Sequence, residues 1–421
     1  INNRNNVFDL KDGFGYYFFD PQSLSAGAVS TWNGRIVGSD NGDADLNITQ
    51  TTGDDQPTAD GYVVTFADNT DHLDMPAGFV EPAAGSWQIV GTSLGTFAYK
   101  LNSNAVTELN LLGNAGGGRT VGDLYGIILL PESATGRGIE EARKLLIDRG
   151  AADGATSSSY IGAWYLRQDM VEFKSVNMSA GTNFQGSWQD SGLTSFPSLD
   201  LSSGTTFLAS WAGSPLQDFG SVDCSQGTNF TSAWFLTTAL TSFPADAKLG
   251  TAATGSVTFS NAWRSSGLTS FSTPLPTATS VDAAWYNCTS LTSFSTELPL
   301  ANNASVAWYN CTSLTSFSTP LPLVTNAVQA WRDCLSLQSF SSEFPLVTNA
   351  NLAWYGCSSL SDFRTTELSN CSNFNQAWQN CSALTSFPAD AKLGTEATNV
   401  YFTSAWRDSG LTSFPALDLS N

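Results

Sequence analysis

WYNCTSLTSF, residues 308–317, decides the reading of this chain, because near-copies of it run from Trp164 to the C-terminus. Tryptophans stand at Trp164, Trp188, Trp211, Trp234, Trp263, Trp285, Trp308, Trp331, Trp354, Trp378 and Trp406. Most steps are 22 to 24 residues; those from Trp234 to Trp263 and from Trp378 to Trp406 are longer. A Phe returns eight or nine positions after many of them, as at Phe196, Phe219, Phe243, Phe294 and Phe414. A Leu usually precedes that Phe by three, and Phe, Val or Ala precedes the Trp by four. One coil of this size cannot bury its own apolar face and must stack on copies of itself. The pattern predicts a solenoid of about eleven coils of 22–29 residues, with the indoles in one column.

Within a middle coil, Ala304, Ala307, Trp308 and Cys311 share one face of a single helical turn. LTSF then reads as a short extended segment, and a Pro-containing stretch such as STPLPL, residues 318–323, turns the corner. Cys288, Cys311, Cys334, Cys357 and Cys381 all fall three residues after a Trp, where other coils carry Ser191, Ser214, Ser266 and Ser409. A position that accepts either residue wants a small side chain facing a tight interior. Coils roughly 4.8 Å apart would permit disulfides, but seven cysteines is an odd total and the serines interrupt the row. Stacked free thiols are the expectation, and without a CxxC pair or a partner His no metal site is expected there.

With 17 basic and 37 acidic residues the formal charge is −20, which repels nucleic acid and anionic membrane. The 41 % hydrophobic content suffices for real cores, and no apolar run approaches a membrane span, so membrane insertion is not expected. The start INNRNN has neither Met nor a signal-peptide core, so either the N-terminus was processed or a longer chain precedes it.

Residues 1–155 lack the repeat. Runs at 16–20, 44–49, 62–67, 86–93, 106–113 and 123–130 read as strands separated by Gly, Asn, Asp and Pro, the pattern of an antiparallel sandwich. GIEEARKLLIDRG, residues 138–150, is the one helix expected, its apolar positions Ile139, Ala142, Leu145 and Leu146 following a 3.6 period. AADGATSSSY, residues 151–160, is a small-residue joint, and the imperfect first coil that follows, with Arg167 and Met170 off pattern, reads as a cap. Two longer coils are near-duplicates, FPADAKLGTAATGSVTFSNAW at 243–263 and FPADAKLGTEATNVYFTSAW at 387–406, and their extra residues should bulge on one side. FPALDLSN ends the chain in mid-coil, so further protein or another subunit is expected to cover that end.

Two resemblances follow. WNG at 32–34, QPTADGYVVTFADNTDHLDMP at 56–76, DLYGIILLPES at 123–133 and a closing helix resemble the concanavalin A-like, laminin-G-type jelly rolls of phage fibres and bacterial surface proteins. The small or Cys residue followed by xxLTSF resembles the BspA-like leucine-rich repeats of bacterial surface antigens and marine phage fibres, with Trp where those repeats usually have Phe. They imply a jelly-roll domain over 1–155 and a leucine-rich-repeat solenoid over 156–421, a mainly β chain. The jelly-roll group often binds sugars, sometimes through calcium. Asp40, Asp43 and Asp45 in SDNGDAD could supply carboxylate oxygens to such an ion; a solvated Asn-Gly/Asp turn is the plainer reading, and no other cofactor is expected.

No catalytic residues are assigned. His72, the one histidine, has no nucleophile motif around it, and GNAGGGR at 113–119 lacks the strand–loop–helix setting of a phosphate loop. Asp218, Asp333, Asp362 and Asp408 read as solvated surface groups. The position after each Trp is more informative. It holds Tyr286, Tyr309 and Tyr355 and Arg264, Arg332 and Arg407, an outward stripe whose rings could stack on sugars and whose guanidiniums could hold carboxylates. The alternative is that the stripe only covers the solenoid. A Thr ladder through Thr292 and Thr315 raises ice binding, but alternation should leave one residue per coil exposed, and Gln338 and Ser361 break the row. The sequence therefore points to a non-enzymatic surface protein, a phage tail or capsid fibre at the virion surface. It would touch host-surface glycan or protein and assemble with other virion subunits or with copies of itself. A bacterial cell-surface adhesin or extracellular filament subunit is the alternative, and a polysaccharide-degrading appendage a third.

Overall fold

The computed structural model describes the strands of the first 130 residues, Arg143, Tyr160, Trp164, and residues 170–175 and 178–413 apart from Thr366. Contacts divide the chain into two units, Ile1–Leu199 and Asp200–Asn421.

In the first unit the strands are β1 (Tyr16–Phe19), β2 (Gly27–Ala28), β3 (Thr31–Val37), β4 (Ala44–Thr49), β5 (Thr58–Ala59), β6 (Val64–Thr65), β7 (Trp87–Thr92), β8 (Gly95–Leu101), β9 (Asp123–Leu130), β10 (Met170–Ser175) and β11 (Ser195–Phe196). The main order is β4-β3-β1-β9-β7-β8-β10-β11. Pairing is antiparallel from β4 to β10, and β10 meets β11 in parallel at Glu172 and Ser195. β10 lies in the imperfect first coil, so one strand serves both the antiparallel sheet and the first parallel step between coils. Phe173 on that strand lies edge-on to Trp164 at 4.7 Å and to Trp188 at 5.3 Å, and the two indoles stack at 5.1 Å. Of the expected helix only Arg143 is described, in helical conformation. His72, the 113–119 loop, the strand expected at 106–113 and the chain end from 414 lie outside the described residues.

The second unit is a β-solenoid of stacked coils. Its coils step through Trp211, Trp234, Trp263, Trp285, Trp308, Trp331, Trp354, Trp378 and Trp406. Consecutive rings lie 5.1–5.7 Å apart and within 3–7° of parallel. The Phe of LTSF stands edge-on to two indoles at once: Phe317 is 4.6 Å from Trp308 and 5.0 Å from Trp331. Leu314, Phe317, Leu321 and Val324 join Ala304, Ala307, Trp308 and Cys311 in the interior. Each two-residue strand pairs in parallel with its counterpart one coil away, as Ser293–Phe294 does with Ser270–Phe271.

The segment around each Trp is not the helical turn that its spacing predicts. It is a run of β-turns in which alternate amides serve different partners. Ala307, Tyr309 and Cys311 donate three residues back, to Ala304, Val306 and Trp308. Ala304, Val306, Trp308 and Asn310 instead donate forward to the carbonyls of Asn326, Val328, Ala330 and Arg332 in the next coil, at 2.8–3.0 Å. Forward bonding requires a left-handed residue two before and two after each Trp, as at Val306 (φ 47) and Asn310 (φ 58). Asn, Asp and Gly tolerate that region; a β-branched Val there costs about 1–3 kcal/mol. The same geometry recurs in coil after coil, so the strain is set by the stacking and offset by the bonds that it permits.

Hydroxyls and thiols bind the coils further. Thr292 Oγ1 donates to Thr269 O and Thr325 Oγ1 to Asn302 O at 2.9 and 3.2 Å. Buried Thr296 donates to Thr273 O at 3.0 Å, and Ser342 Oγ donates to Thr319 O. Cys311 and Cys334 donate through Sγ to the carbonyls of Trp285 and Trp308, one coil back, at 3.2 and 3.1 Å. Ser191 and Thr237 at the same position donate to the Trp carbonyl of their own coil at 2.8 Å. A small donor beside that carbonyl is what the position requires, hence the exchange of Cys with Ser and Thr. All seven cysteines are free and buried.

The duplicated long coils are also alike in structure. Lys248–Leu249 pairs with Asp223–Cys224 and Lys392–Leu393 with Glu367–Leu368, each with a 2.7 Å ion pair between the first residues. Their added residues, Thr254 to Ser256 and Thr398 to Asn399 among them, are exposed.

Candidate functional site

The residue after each Trp is fixed twice over. Its carbonyl accepts an amide from the coil before, as Tyr309 O does from Asn287 N at 2.8 Å, and its own amide closes a turn on Val306 O at 3.2 Å. Its side chain therefore points away from the indole column and recurs once per coil. The result is a ladder from Phe235 through Arg264, Tyr286, Tyr309 and Arg332 to Tyr355.

The ladder is packed face to face. The Arg264 guanidinium lies 5.9 Å from the Phe235 ring centre and 4.4 Å from that of Tyr286. Tyr286 stacks on Tyr309 at 4.7 Å, 5° from parallel. Arg332 sits 5.5 Å from Tyr309 and 4.7 Å from Tyr355. Both faces of Tyr286 and Tyr309 are thus occupied, and solvent reaches only their edges. Each cation–π contact is worth about 0.5–1 kcal/mol at such half-exposed positions. Arg407 is exposed, at the last described Trp.

The surroundings are polar and close to neutral. Arg332 Nε lies 3.3 Å from Asp333 Oδ2, and its Nη1 donates to Gln329 Oε1 at 3.4 Å. Arg264 Nη1 donates to Asn261 Oδ1 at 3.1 Å. Asn310 Nδ2 donates to Asn287 Oδ1 at 2.7 Å, and Asn287 Nδ2 to Ser265 Oγ at 3.2 Å, forming an amide row alongside the rings. Burial pushes the Tyr309 hydroxyl up, Arg332 opposes that, and a hydrogen bond to Asp333 adds to it. Burial likewise raises the Asp282 carboxyl, against a hydrogen bond with Ser305. Sequence reasoning placed the stripe but missed Asn261, Asn287, Asn310 and Gln329. Their signal was available, since polar residues recur two before or two after several of the tryptophans.

The hydroxyl row also differs from expectation. Thr292 and Ser293 are both exposed, as are Thr315 and Ser316, because the strand is only two residues long and Thr precedes it. The Thr hydroxyls are engaged with the carbonyls of the preceding coil. Asp218 and Asp408 are exposed, while Asp333 and Asp362 are half-buried and paired with Arg332 and Arg364. Of the three carboxylates considered for calcium, Asp45 falls in β4 opposite Arg35, and Asp40 and Asp43 lie outside the described residues. Among the described residues no group of three or more His, Cys, Asp or Glu could hold a metal ion, and no helix is long and apolar enough to cross a membrane.

No family model and no curated protein matches this chain. Among solved structures it is similar to a leucine-rich repeat protein from Eubacterium ventriosum, at 14% identity and a TM-score of 0.29, over 63% of this chain and 84% of that one. A second, from Bacteroides ovatus, is also 14% identical, with a TM-score of 0.17 over 55% of this chain and 81% of that one. The solenoid rests on its own coil-to-coil bonding.

Proposed function

We propose that this chain is a non-enzymatic structural and adhesive surface protein, a phage tail or capsid fibre element that contacts host-surface glycan or protein. A jelly-roll domain at its N-terminus would serve the same contact. The observation that carries the reading is the filled interior of residues 200–413. Indole and phenyl rings occupy the axis, and the same backbone bonds join coil after coil. Such a body suits support and repeated weak contact better than a reaction confined to one cleft. The acidic surface fits a protein working in salt, where self-repulsion is screened.

The test is sedimentation of the purified chain with intact bacterial cells and, separately, with their extracted surface polysaccharide. Retention on cells with the polysaccharide left at its original length supports the reading. Failure to bind any cell surface removes it, and shortening of the polysaccharide replaces it with an enzyme.

A further inference from the structure

The period of the ladder selects among ligand classes. Tyr286 and Tyr309 stand 4.7 Å apart, and the indoles of the same two coils, Trp285 and Trp308, 5.5 Å apart. An extended polypeptide laid along the coils advances about 3.3 Å per residue and falls out of step at once. Nucleic acid is repelled by a chain of charge −20. A pyranose in an extended β-linked chain advances by about one coil, so each sugar would lie beside one coil and meet Phe, Arg, Tyr, Tyr, Arg and Tyr in turn.

We infer that the stripe from Phe235 to Tyr355 is a track for an extended, uncharged β-linked polysaccharide lying along the indole column, one sugar to a coil. The proposal rests on the surface reading above and specifies its ligand. The ring faces do not take part, because Arg264, Tyr309, Tyr286 and Arg332 already cover them. The polymer is held from the side by phenolic oxygens, by the amides of Asn287 and Asn310, and by guanidinium N–H groups left over from Asn261, Gln329 and Asp333. A neutral ligand fits because a polyanion is repelled by the chain's charge of −20, while Arg332 is matched by Asp333 and Arg264 gives its Nη1 to Asn261.

Calorimetric titration of the full chain with cello-oligosaccharides and with N-acetylglucosamine oligomers, from dimer to octamer, tests this. Malto-oligosaccharides, whose α-links coil the chain, are the out-of-step control. Affinity should rise with each unit up to the hexamer and then level, since six coils carry the stripe, and the malto series should not bind. The triple variant Tyr286→Phe, Tyr309→Phe, Tyr355→Phe keeps the stack and removes the hydroxyls. It should weaken hexamer binding about tenfold or more, as expected for three lost hydrogen bonds, with an unchanged urea midpoint confirming its fold. Equal binding of the malto series, absence of length dependence, or full affinity in the triple variant overturns the track. If no oligosaccharide binds while cells still retain the chain, the track fails and the surface role stands; if cells also fail to retain it, both are lost.

Discussion

Replacing Trp308 by Ala should rank, with the other fully buried indoles of the column, among the most damaging single truncations in the solenoid, and the structure gives the scale. The ring is fully buried, stacks on Trp285 at 5.5 Å and Trp331 at 5.4 Å, and meets the edges of Phe294 and Phe317. Large-to-small substitution of a buried aromatic costs about 3–5 kcal/mol. Each of the four ring contacts adds about 0.5–1.5 kcal/mol beyond area burial, so a loss of about 5 kcal/mol or more is expected. Because coils touch only their neighbours, the loss falls on two interfaces, and unfolding should split into two steps. Trp308→Phe should be far milder. It keeps a ring in the column and removes an indole N–H that is buried without a hydrogen-bond partner, a defect worth about 1–3 kcal/mol. Trp406→Ala, at the half-exposed last described ring, should cost well under half as much as Trp308→Ala. Urea titrations followed by near-ultraviolet circular dichroism would rank the three. If Trp308→Ala costs no more than Trp406→Ala, the column does not hold the coils together.

Alkaline pH should also destabilise the solenoid. Burial pushes Cys288 up to about 11 and Cys371 and Cys381 up to about 12, and lifts Cys311, Cys334 and Cys357. Unfolded thiols lose their protons near the ordinary value of about 9, so the unfolded state binds fewer protons above that pH. Stability is then complete below pH 9 and falls by up to about 1.4 kcal/mol per pH unit per thiol toward pH 11. Urea midpoints at pH 8 and 10 would show the drop, and a variant with Cys288, Cys311, Cys334, Cys357 and Cys381 all changed to Ser should lose most of it. Gly356→Ala should cost about 1–3 kcal/mol, since Gly356 has φ 74 and a Cβ there would run into Asp333 Oδ1; an unchanged thermal midpoint would contradict this. Lys248→Met and Lys392→Met should leave the midpoint unmoved, because both ammonium groups are solvated.

The column was legible because its cause is compositional. An indole every 22 to 24 residues has no other means of burial, and the small residue three places on marks the tight interior. The turn backbone was not legible, because nothing in the identity of Val306 or Leu352 announces a left-handed residue. Only the forward hydrogen bonds to the next coil require it. The stripe could be placed from sequence, but its covered ring faces followed only from the spacing. Side chains that repeat once per coil in parallel stand at stacking distance and satisfy one another first. In the first unit the strands at 44–49 and 123–130 fell where alternation put them. β3 and β8 were missed, since GTFAYKL and TWNGRIV mix small and polar residues among the apolar ones.

The inter-coil bonding gives the two sides of the solenoid opposite electrical directions, since on the strand side amides such as Thr292, Ser295, Thr315 and Gln338 donate back to the preceding coil. On the indole side four amides per coil aim toward the C-terminal neighbour, from Phe207 to Asn380, without a reversal. Peptide units aligned in this way add their dipoles as those of a helix do. The indole side therefore presents its positive end toward the C-terminal coils, and the strand side presents its positive end toward the N-terminal ones. The two sides offset one another, so two such bodies lying flank to flank would be free of a strong axial preference and their orientation would be set by their side chains.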